Sequence, residues 1–148
     1  MTDDGRSERI CAALVDVVGG LDTPLVMVFE PVPGEPDLAR FVAWCDDVGV
    51  ATVAPAPAPT APDPVEPTSV DVVVVPGLAF TAAGHRLGQG VGWYDRFLAG
   101  TRADCLKIGV GFDVQVVDEV PTEPHDVPLD LVITESGVVG RPTDERAS

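Results

Sequence analysis

The stretch RLGQGVGWYD, residues 86–95, carries the groups best suited to chemistry in this sequence. Gly88, Gly90 and Gly92 alternate along it, and glycine lets backbone amides approach a ligand without a Cβ in the way. Arg86 can add a two-pronged hydrogen bond to a phosphate. Successive amides followed by a helix form an anion site. The spacing favours a phosphate-binding loop, although a glycine-rich turn without a ligand fits it too.

Three common patterns are absent from the sequence. A Walker A loop requires GxxxxGK[ST], and the single lysine, Lys107, lies in no such pattern. The dinucleotide fingerprint GxGxxG is not matched, because the glycines follow GxGxG and Trp93 comes next. The nucleophile elbow GxSxG does not occur. A phosphate loop here must therefore be of another kind.

Asp95 has two interpretations. A carboxylate in the first turn of a helix is stabilised by the helix dipole without any ligand. Alternatively, Asp95 holds Mg²⁺, which binds one or two carboxylates together with phosphate oxygens and water. A second carboxylate would come from PHDVPLDLVIT, residues 124–134, which offers Asp126 and Asp130 where a loop meets a strand. Either aspartate could instead cap a turn.

The elements that must position these residues alternate between helix and strand. Ser7 is the expected cap of the first helix, and Gly19 and Gly49 are expected to end the first two helices. Continuous apolar runs are typical of strands buried on both faces of a parallel sheet. We therefore expect an α/β fold, a three-layer sandwich with a mainly parallel sheet, Rossmann-like, as a single domain over residues 1–148. Apolar periodicity predicts helices over 9–18, 37–49 and 93–100 and strands over 25–30, 50–54, 71–77, 106–112 and 129–134.

The predicted strand DVVVVPG, residues 71–77, places the glycine stretch. In open α/β sheets the ligand crevice lies beyond the carboxyl ends of the strands. This strand reaches such an end at Pro76 and Gly77, and the chain then leads through the glycines into the helix at 93–100. The glycine stretch is expected to border the crevice.

Two segments are expected to lie outside the packed layers. Residues 55–67 alternate proline with alanine, which excludes helix and central strand, so we expect a stiff polyproline-like connector on the surface. Recognition by an SH3-like partner is the alternative function for it. Residues 138–148 are expected to form a flexible polar tail.

Composition narrows the class of protein. The net charge of −15 and the pI near 4.1 oppose sequence-independent binding to nucleic acid or to an anionic membrane. No apolar run is long enough to span a bilayer, and the acidic, polar N-terminus is unlike a secretory signal, so a cytoplasmic monomer is expected. Within residues 81–110 there are four basic residues and two acidic ones, so this segment has a net charge of +2 in an otherwise acidic chain. That segment includes the glycine stretch and favours a bound phosphate.

The sequence resembles the 5-formyltetrahydrofolate cyclo-ligase family, also called methenyltetrahydrofolate synthetases. The resemblance rests on residues 72–98, which contain PGLAF and RLGQGVGWYD, and on residues 107–135, which contain Gln115, the HD pair at 125–126 and Asp130 followed by TE. A weaker block, VFEPVPGEPD, lies at residues 28–37. Together these blocks cover roughly two thirds of the chain.

The resemblance implies an α/β sandwich and an ATP- and Mg²⁺-dependent reaction. In that reaction the formyl oxygen of 5-formyltetrahydrofolate is phosphorylated, a folate nitrogen closes the ring, and 5,10-methenyltetrahydrofolate, ADP and phosphate are released. It further implies that Arg86 and Tyr94 are catalytic, that Glu35 binds the folate, and that Asp95 and Asp130 ligate Mg²⁺. The implied ATP-binding residues are Arg86, Leu87, Gly88, Gln89, Gly90, Val91, Gly92, Trp93 and Tyr94.

The sequence departs from the family pattern in two places. Family members carry a basic helix with K-x-x-L-R ahead of the first helix predicted here, and that pattern does not occur in this sequence. Arg6 and Arg9, expected just ahead of the first helix, could do part of its work. The family's central strand pair is replaced by the connector at 55–67. A catalytically impaired homologue that binds folate or nucleotide therefore stands as the alternative to an active enzyme.

Overall fold

The computed structural model describes residues 5–55, 65–88, 92–124 and 126–140. These residues form three helices and eight strands. The helices are α1 (Arg6–Val18), α2 (Ala39–Val48) and α3 (Trp93–Ala99). The strands are β1 (Leu25–Met27), β2 (Ala51–Val53), β3 (Val72–Val75), β4 (Ala79–Phe80), β5 (Arg86–Leu87), β6 (Leu106–Val110), β7 (Leu131–Thr134) and β8 (Gly137–Gly140).

Six of the strands form one sheet in the order β2-β1-β3-β6-β7-β8. Every neighbouring pair in it is parallel except β7 and β8, which are antiparallel. The chain moves outward from β1 to β2 and then returns to the other side of β1 to form β3. The carboxyl ends of β1 and β3 therefore border a crevice at the point where the strand order reverses.

Two apolar layers cover the sheet and confirm the predicted three-layer α/β sandwich. Because side chains alternate along a strand, Val72 and Val74 face one layer while Val73 and Val75 face the other. The first layer packs on α1 and α2, which bury Leu14 and Phe41 there. The second packs on α3 through its Phe97 and Leu98 side chains. The four valines of β3 are completely buried, as their continuous apolar run predicted.

Several predicted boundaries were wrong. Helix α1 begins at Arg6 with Gly5 as its N-cap, and the predicted cap Ser7 lies inside the helix, where its Oγ accepts a hydrogen bond from the Asp37 amide. Arg6 and Arg9 therefore lie in the first turns of α1 and not ahead of it. Strand β2 was expected to be buried on both faces, but it is an edge strand with exposed Ala51. Gly19 and Gly49 end their helices as predicted.

The two segments expected outside the layers are partly packed. Residues 138–140 belong to β8, which pairs with β7, so the predicted tail cannot begin before residue 141. Residues 141–148 lie outside the described part of the chain, as do 56–64 of the predicted connector. The end of that connector is not a surface spacer, because Val65 is buried in the second layer and residues Pro67–Ser69 form a short 3-10 turn. Within the described residues, no helix is long and apolar enough to cross a membrane.

Candidate functional site

A hairpin that the sequence analysis did not predict brings Arg86 to the carboxyl end of β3. Strands β4 and β5 are antiparallel, with Phe80 opposite Arg86. The Arg86 Nε donates a hydrogen bond of 2.5 Å to the carbonyl oxygen of Pro76. A Cβ on Gly77 would lie 3.1 Å from Arg86 Cγ, so the glycine makes room for this side chain to lie on the strand end. Arg86 is therefore anchored at the edge of the crevice.

Phe80 anchors the hairpin on the sheet. Its ring is fully buried in the second layer, and a Cβ on either Gly109 or Gly111 would come within 2.8 Å of it. Two glycines at the end of β6 thus leave the space that the ring fills. Because Phe80 pairs with Arg86 across the hairpin, the buried ring fixes the position of Arg86 relative to the core.

Two residues of the glycine stretch, Tyr94 and Gly88, lie beside the guanidinium of Arg86. Its Cζ lies 5.1 Å from the centroid of the Tyr94 ring, within the range of a cation–π contact. A Cβ on Gly88 would lie 2.9 Å from one guanidinium nitrogen and 3.0 Å from the other, so only glycine leaves this group its place. Gly92 has φ +72° and caps α3, a conformation that favours glycine.

Several carboxylates act on Arg86. Burial lowers the pKa of its guanidinium, while the charges of Asp95, Glu35 and Asp126 and the Tyr94 hydroxyl oppose that shift. Arginine nevertheless stays protonated at neutral pH. The structure thus brings residues that lie far apart in the sequence to one guanidinium. Three of these residues are carboxylates, and their charges favour the protonated guanidinium.

Tyr94 is a neutral hydrogen-bonding group at physiological pH. Burial raises the pKa of its hydroxyl to about 12, Arg86 lowers it and Glu35 raises it further. The other face of the helix start is aromatic, since Trp93 stacks on Phe97 at 5.1 Å and meets Tyr94 edge-on at 4.9 Å. The high pKa excludes Tyr94 as a general base near pH 7 and leaves it as a donor.

Glu35 reaches the site from the loop after β1. Its Oε1 accepts a hydrogen bond of 2.9 Å from the amide of Val32, and its own amide donates to the carbonyl oxygen of Val32. Gly34, with φ +95°, makes this tight turn possible. The turn thus holds the Glu35 carboxylate in the loop that follows the carboxyl end of β1.

Asp126 and Asp130 have different partners in the structure. Asp130 precedes β7 at its amino end, where its Oδ2 accepts a hydrogen bond from the Lys107 amide and lies 3.4 Å from Lys107 Nζ. Lys107 pairs in register with Val73, three residues before the Arg86 anchor at Pro76, or about 10 Å along the strand. Asp126 caps a turn, where its Oδ2 accepts a hydrogen bond of 2.8 Å from the Glu123 amide, and its charge has a smaller effect on the pKa of Arg86 than the charges of Asp95 and Glu35. The predicted metal pair Asp95 and Asp130 stays a prediction, and in this structure Asp130 is bound to Lys107.

The positive segment of the sequence does not form a positive surface. Arg102 lies at the amino end of β3, where it donates to Asp71 at 2.6 Å and to Asp104 at 3.0 Å. Lys107 forms an ion pair with Asp130. The charge count along the chain therefore overstated the attraction for phosphate. Arg102 and Lys107 lie at the amino edge of the sheet, whereas Arg86 lies at its carboxyl edge.

Arg6 and Arg9 lie near the carboxyl ends of β6 and β7. The Arg6 guanidinium stacks 4.5 Å above the Phe112 ring. Hydrogen bonds from Ser136 and Thr134 lower the pKa of the Asp113 carboxyl, and the charge of Arg9 lowers it further. The start of α1 thus supplies two cations to the edge of the sheet that also carries Arg86.

Part of the predicted site lies outside the described residues, namely Gln89, Gly90 and Val91, and so does His125 of the HD pair. Leu87 is described and is 37% exposed on β5. Among the residues that the structure describes, no group of three or more histidine, cysteine or acidic side chains forms a closed metal cage. A cation here would need phosphate and water oxygens beside the carboxylates.

The fold and the site define an α/β protein of Rossmann-like architecture with an arginine–glycine loop at the carboxyl edge of its sheet. The sequence profile described as the 5-formyltetrahydrofolate cyclo-ligase family matches residues 30–135. This chain belongs to that family. The matched range contains Glu35, the glycine stretch and both candidate aspartates.

Individual relatives agree with this membership. The chain is 44% identical over 69 residues to a 5-formyltetrahydrofolate cyclo-ligase of Mycoplasma genitalium, which covers 47% of this chain and 41% of that protein. It is similar in structure to a 5,10-methenyltetrahydrofolate synthetase from Mycoplasma pneumoniae, with a TM-score of 0.79, 23% identity, and coverage of 91% of this chain and 90% of that one. The Aquifex aeolicus 5,10-methenyltetrahydrofolate synthetase gives a TM-score of 0.75 at 27% identity, covering 96% of this chain and 85% of that one. The sequence match thus spans about two fifths of the curated relative, while the fold match extends over most of both chains.

Proposed function

We propose that this protein converts 5-formyltetrahydrofolate to 5,10-methenyltetrahydrofolate with ATP and Mg²⁺, releasing ADP and phosphate. Family membership and the relatives' names support the reaction class. The observation that carries the proposal is the anchoring of Arg86 at the carboxyl end of β3 among Tyr94, Asp95, Glu35 and Asp126. Phosphoryl transfer needs positioning and charge neutralisation more than a protein nucleophile, and this arrangement supplies groups of that kind.

The phosphates of ATP would lie against Arg86 and the glycine stretch. The guanidinium offers donors beyond the one bound to Pro76, and these can bind phosphate oxygens. Gly88 keeps the approach to this group open. Tyr94, neutral because burial raises its pKa to about 12, can donate its proton to an oxygen of ATP or substrate. Arg86 and Tyr94 are the side chains we propose to touch the reacting groups.

The carboxylates would make the proposed reaction depend on Mg²⁺. Three carboxylates around one guanidinium would repel a triphosphate, so a cation is needed between them. We propose Asp95 and Asp126 as its ligands, with the predicted pair Asp95 and Asp130 as the alternative that the matched variants below distinguish. Mg²⁺ bound there would neutralise charge that develops on the transferred phosphoryl group. Glu35, in the loop after β1, is the residue we propose to bind the folate.

The direct test is formation of the methenyl product. Purified protein with ATP, Mg²⁺ and 5-formyltetrahydrofolate is expected to develop the product's near-ultraviolet absorbance, with no signal when ATP is omitted. Arg86→Ala should reduce the rate at least about 100-fold, since it removes a group that stabilises phosphoryl charge. If micromolar wild-type protein binds ATP but forms no product, the catalytically impaired binding homologue becomes the correct interpretation.

The metal ligands are tested by a matched pair of variants. Asp126→Asn is expected to raise the Mg²⁺ concentration for half-maximal activity at least about tenfold, because a neutral amide is a poor substitute for a carboxylate ligand. Asp130→Asn is expected to leave that requirement unchanged and to lower thermal stability instead, since it weakens the contact with Lys107. The reverse pattern, with Asp130→Asn changing the Mg²⁺ requirement, would return the role to Asp130.

A further inference from the structure

Gln115 joins two loops at the carboxyl edge of the sheet. It ends a 3-10 turn, Asp113–Gln115, that follows β6. Its Oε1 accepts a hydrogen bond of 2.8 Å from the amide of Phe112. Its Nε2 donates to the carbonyl oxygen of Gly77 at 2.9 Å and to that of Leu78 at 3.2 Å. One side-chain amide thus binds its own turn through oxygen and a neighbouring loop through nitrogen.

The two ends of this amide have separate consequences. The bond to Phe112 stabilises the turn that contains Gln115, which is an ordinary local role. The bonds to Gly77 and Leu78 reach 38 and 37 residues back in the sequence, to the segment that follows β3. The local turn does not need them. They act on the part of the crevice edge that carries Arg86.

The segment Pro76–Leu78 is held from two sides. Arg86 Nε binds the Pro76 carbonyl oxygen at 2.5 Å, and Gln115 binds the next two carbonyl oxygens. The Arg86 side chain also packs on the Cα of Gly77, where a Cβ would come within 3.1 Å of Arg86 Cγ. A shift of this segment would therefore move the guanidinium. Displacement of a binding group by about 1 Å can cost on the order of a hundredfold in rate.

Gln115 also packs closely enough to hold its own orientation. A Cβ on Gly111 would lie 3.0 Å from Gln115 Oε1, and Gln115 is half-buried although Asp113 and Val114 beside it are exposed. The amide is restrained by contact on one side and by three hydrogen bonds. A side chain restrained in this way can hold the loop to which it is hydrogen-bonded in a fixed position.

We propose that Gln115 is a positioning residue for ATP, acting through Pro76–Leu78 on the guanidinium of Arg86. This inference rests on the proposed binding of ATP phosphates by Arg86. Gln115 is not assigned a contact with ATP. Its amide nitrogen holds the crevice edge in the place where Arg86 can meet a phosphate.

The test uses two substitutions that remove different sets of the hydrogen bonds made by the Gln115 amide. Gln115→Glu keeps an acceptor for Phe112 but removes both donors, and its carboxylate repels the carbonyl oxygens of Gly77 and Leu78. Gln115→Met keeps the approximate size and removes every hydrogen bond. Ser69→Ala is the control, because it also removes a side-chain hydrogen bond to a backbone carbonyl, at 2.7 Å to Glu66, but at the amino end of β3. Thermal melting checks folding, and Gln115→Asn replaces either variant that does not fold.

The measured quantities are the ATP dissociation constant, from titration of tryptophan fluorescence, and the split between kcat and KM for ATP. Both Gln115 variants are expected to weaken ATP binding about tenfold, a size typical of coupling within one hydrogen-bond network. The KM for folate should change less than the KM for ATP. Ser69→Ala should bind ATP as the wild type does.

A double-mutant cycle with Arg86→Ala separates positioning from general destabilisation. If Gln115 acts through Arg86, Gln115→Glu should weaken ATP binding less than about twofold in the Arg86→Ala background. An equal loss in both backgrounds, or unchanged ATP binding in the folded Gln115 variants, overturns this inference and leaves the proposed function intact. Wild-type protein that does not bind ATP overturns both.

Discussion

At the scale of single residues, Arg86 can keep its position because Gly77 and Gly88 have no Cβ. A Cβ on Gly88 would lie within 3.0 Å of both terminal nitrogens of the guanidinium, and a Cβ on Gly77 would press on its aliphatic stem. These glycines are needed for the close approach of a neighbouring side chain. At Gly92 the reason differs, since its φ of +72° is a conformation that other residues rarely adopt.

Gly88→Ala is expected to weaken ATP binding without unfolding the protein. The atoms that the new methyl group meets are the far end of a flexible side chain, so the guanidinium can turn aside at little cost to stability. We expect the ATP dissociation constant to rise at least about tenfold, in line with the loss of a charge-assisted hydrogen bond. Titration of tryptophan fluorescence gives the constant, and thermal melting gives the stability.

The matched control is Gly20→Ala, where the nearest atom to the new methyl group is the Val17 carbonyl oxygen at 3.7 Å. This variant should bind ATP normally. Normal ATP binding by Gly88→Ala as well would show that the guanidinium does not meet the phosphates from its present position.

At the scale of elements, the short hairpin of β4 and β5 decides where the site lies. It consists of two residues on each strand, too few for a recognisable alternation of apolar and polar side chains, and the sequence analysis treated this region as a loop. Its stability comes from Phe80 in the second core layer and from the Val117 amide, which donates to the Phe80 carbonyl oxygen at 2.8 Å. Tertiary packing, and not local propensity, forms this element.

Phe80→Ala is expected to lower the free energy of unfolding by about 3–5 kcal/mol, the usual loss when a fully buried phenylalanine is truncated. Gly109 and Gly111 cannot fill the space that the ring leaves. Urea denaturation followed by tryptophan fluorescence measures the change. Leu78→Ala is the control, because that side chain is 49% exposed and should cost roughly 0.5 kcal/mol or less. Equal losses in the two variants would mean that Phe80 does not anchor the hairpin.

At the scale of the whole molecule, acidic groups outnumber basic ones, 24 to 9. The ion pairs that the structure shows between described residues are mostly exposed, as for Arg40 with Glu8 and Arg102 with Asp104. Such surface pairs contribute little to stability. Repulsion among the remaining carboxylates should therefore dominate the response of the fold to salt.

The melting temperature is accordingly expected to rise as sodium chloride is added at pH 7. At roughly 0.1 M salt the screening length is about 10 Å, which is short enough to weaken repulsion between surface carboxylates. Scanning calorimetry over a range of salt concentrations measures the rise, and the rise should shrink at pH 5, where carboxylates begin to take up protons. A melting temperature that falls with salt would mean that the surface ion pairs matter more than the net charge.

The alternation of helices and strands could be predicted from the sequence because each element depends mainly on residues that are close together in the sequence. The four valines of β3 and the glycines that end α1 and α2 show this, since continuous apolar runs and glycine stops act locally. The boundaries at Ser7 and at residues 138–140 were wrong because each depends on a tertiary partner, which is distant in the sequence for Ser7 and adjacent in the sequence for residues 138–140. Ser7 binds Asp37, and β8 pairs with β7.

The sequence by itself determined a mainly parallel α/β fold, a glycine-rich loop at the carboxyl end of β3 and the family to which the chain belongs. Only the tertiary structure decided which charges meet there. Asp126 and Asp130 are the same residue type only four positions apart, but Asp126 binds the Glu123 amide in its own turn, whereas Asp130 binds Lys107 at the amino end of β7. It also joined Gln115 to Gly77, 38 residues away. Local periodicity encodes the elements, whereas strand order and loop paths determine which side chains come together.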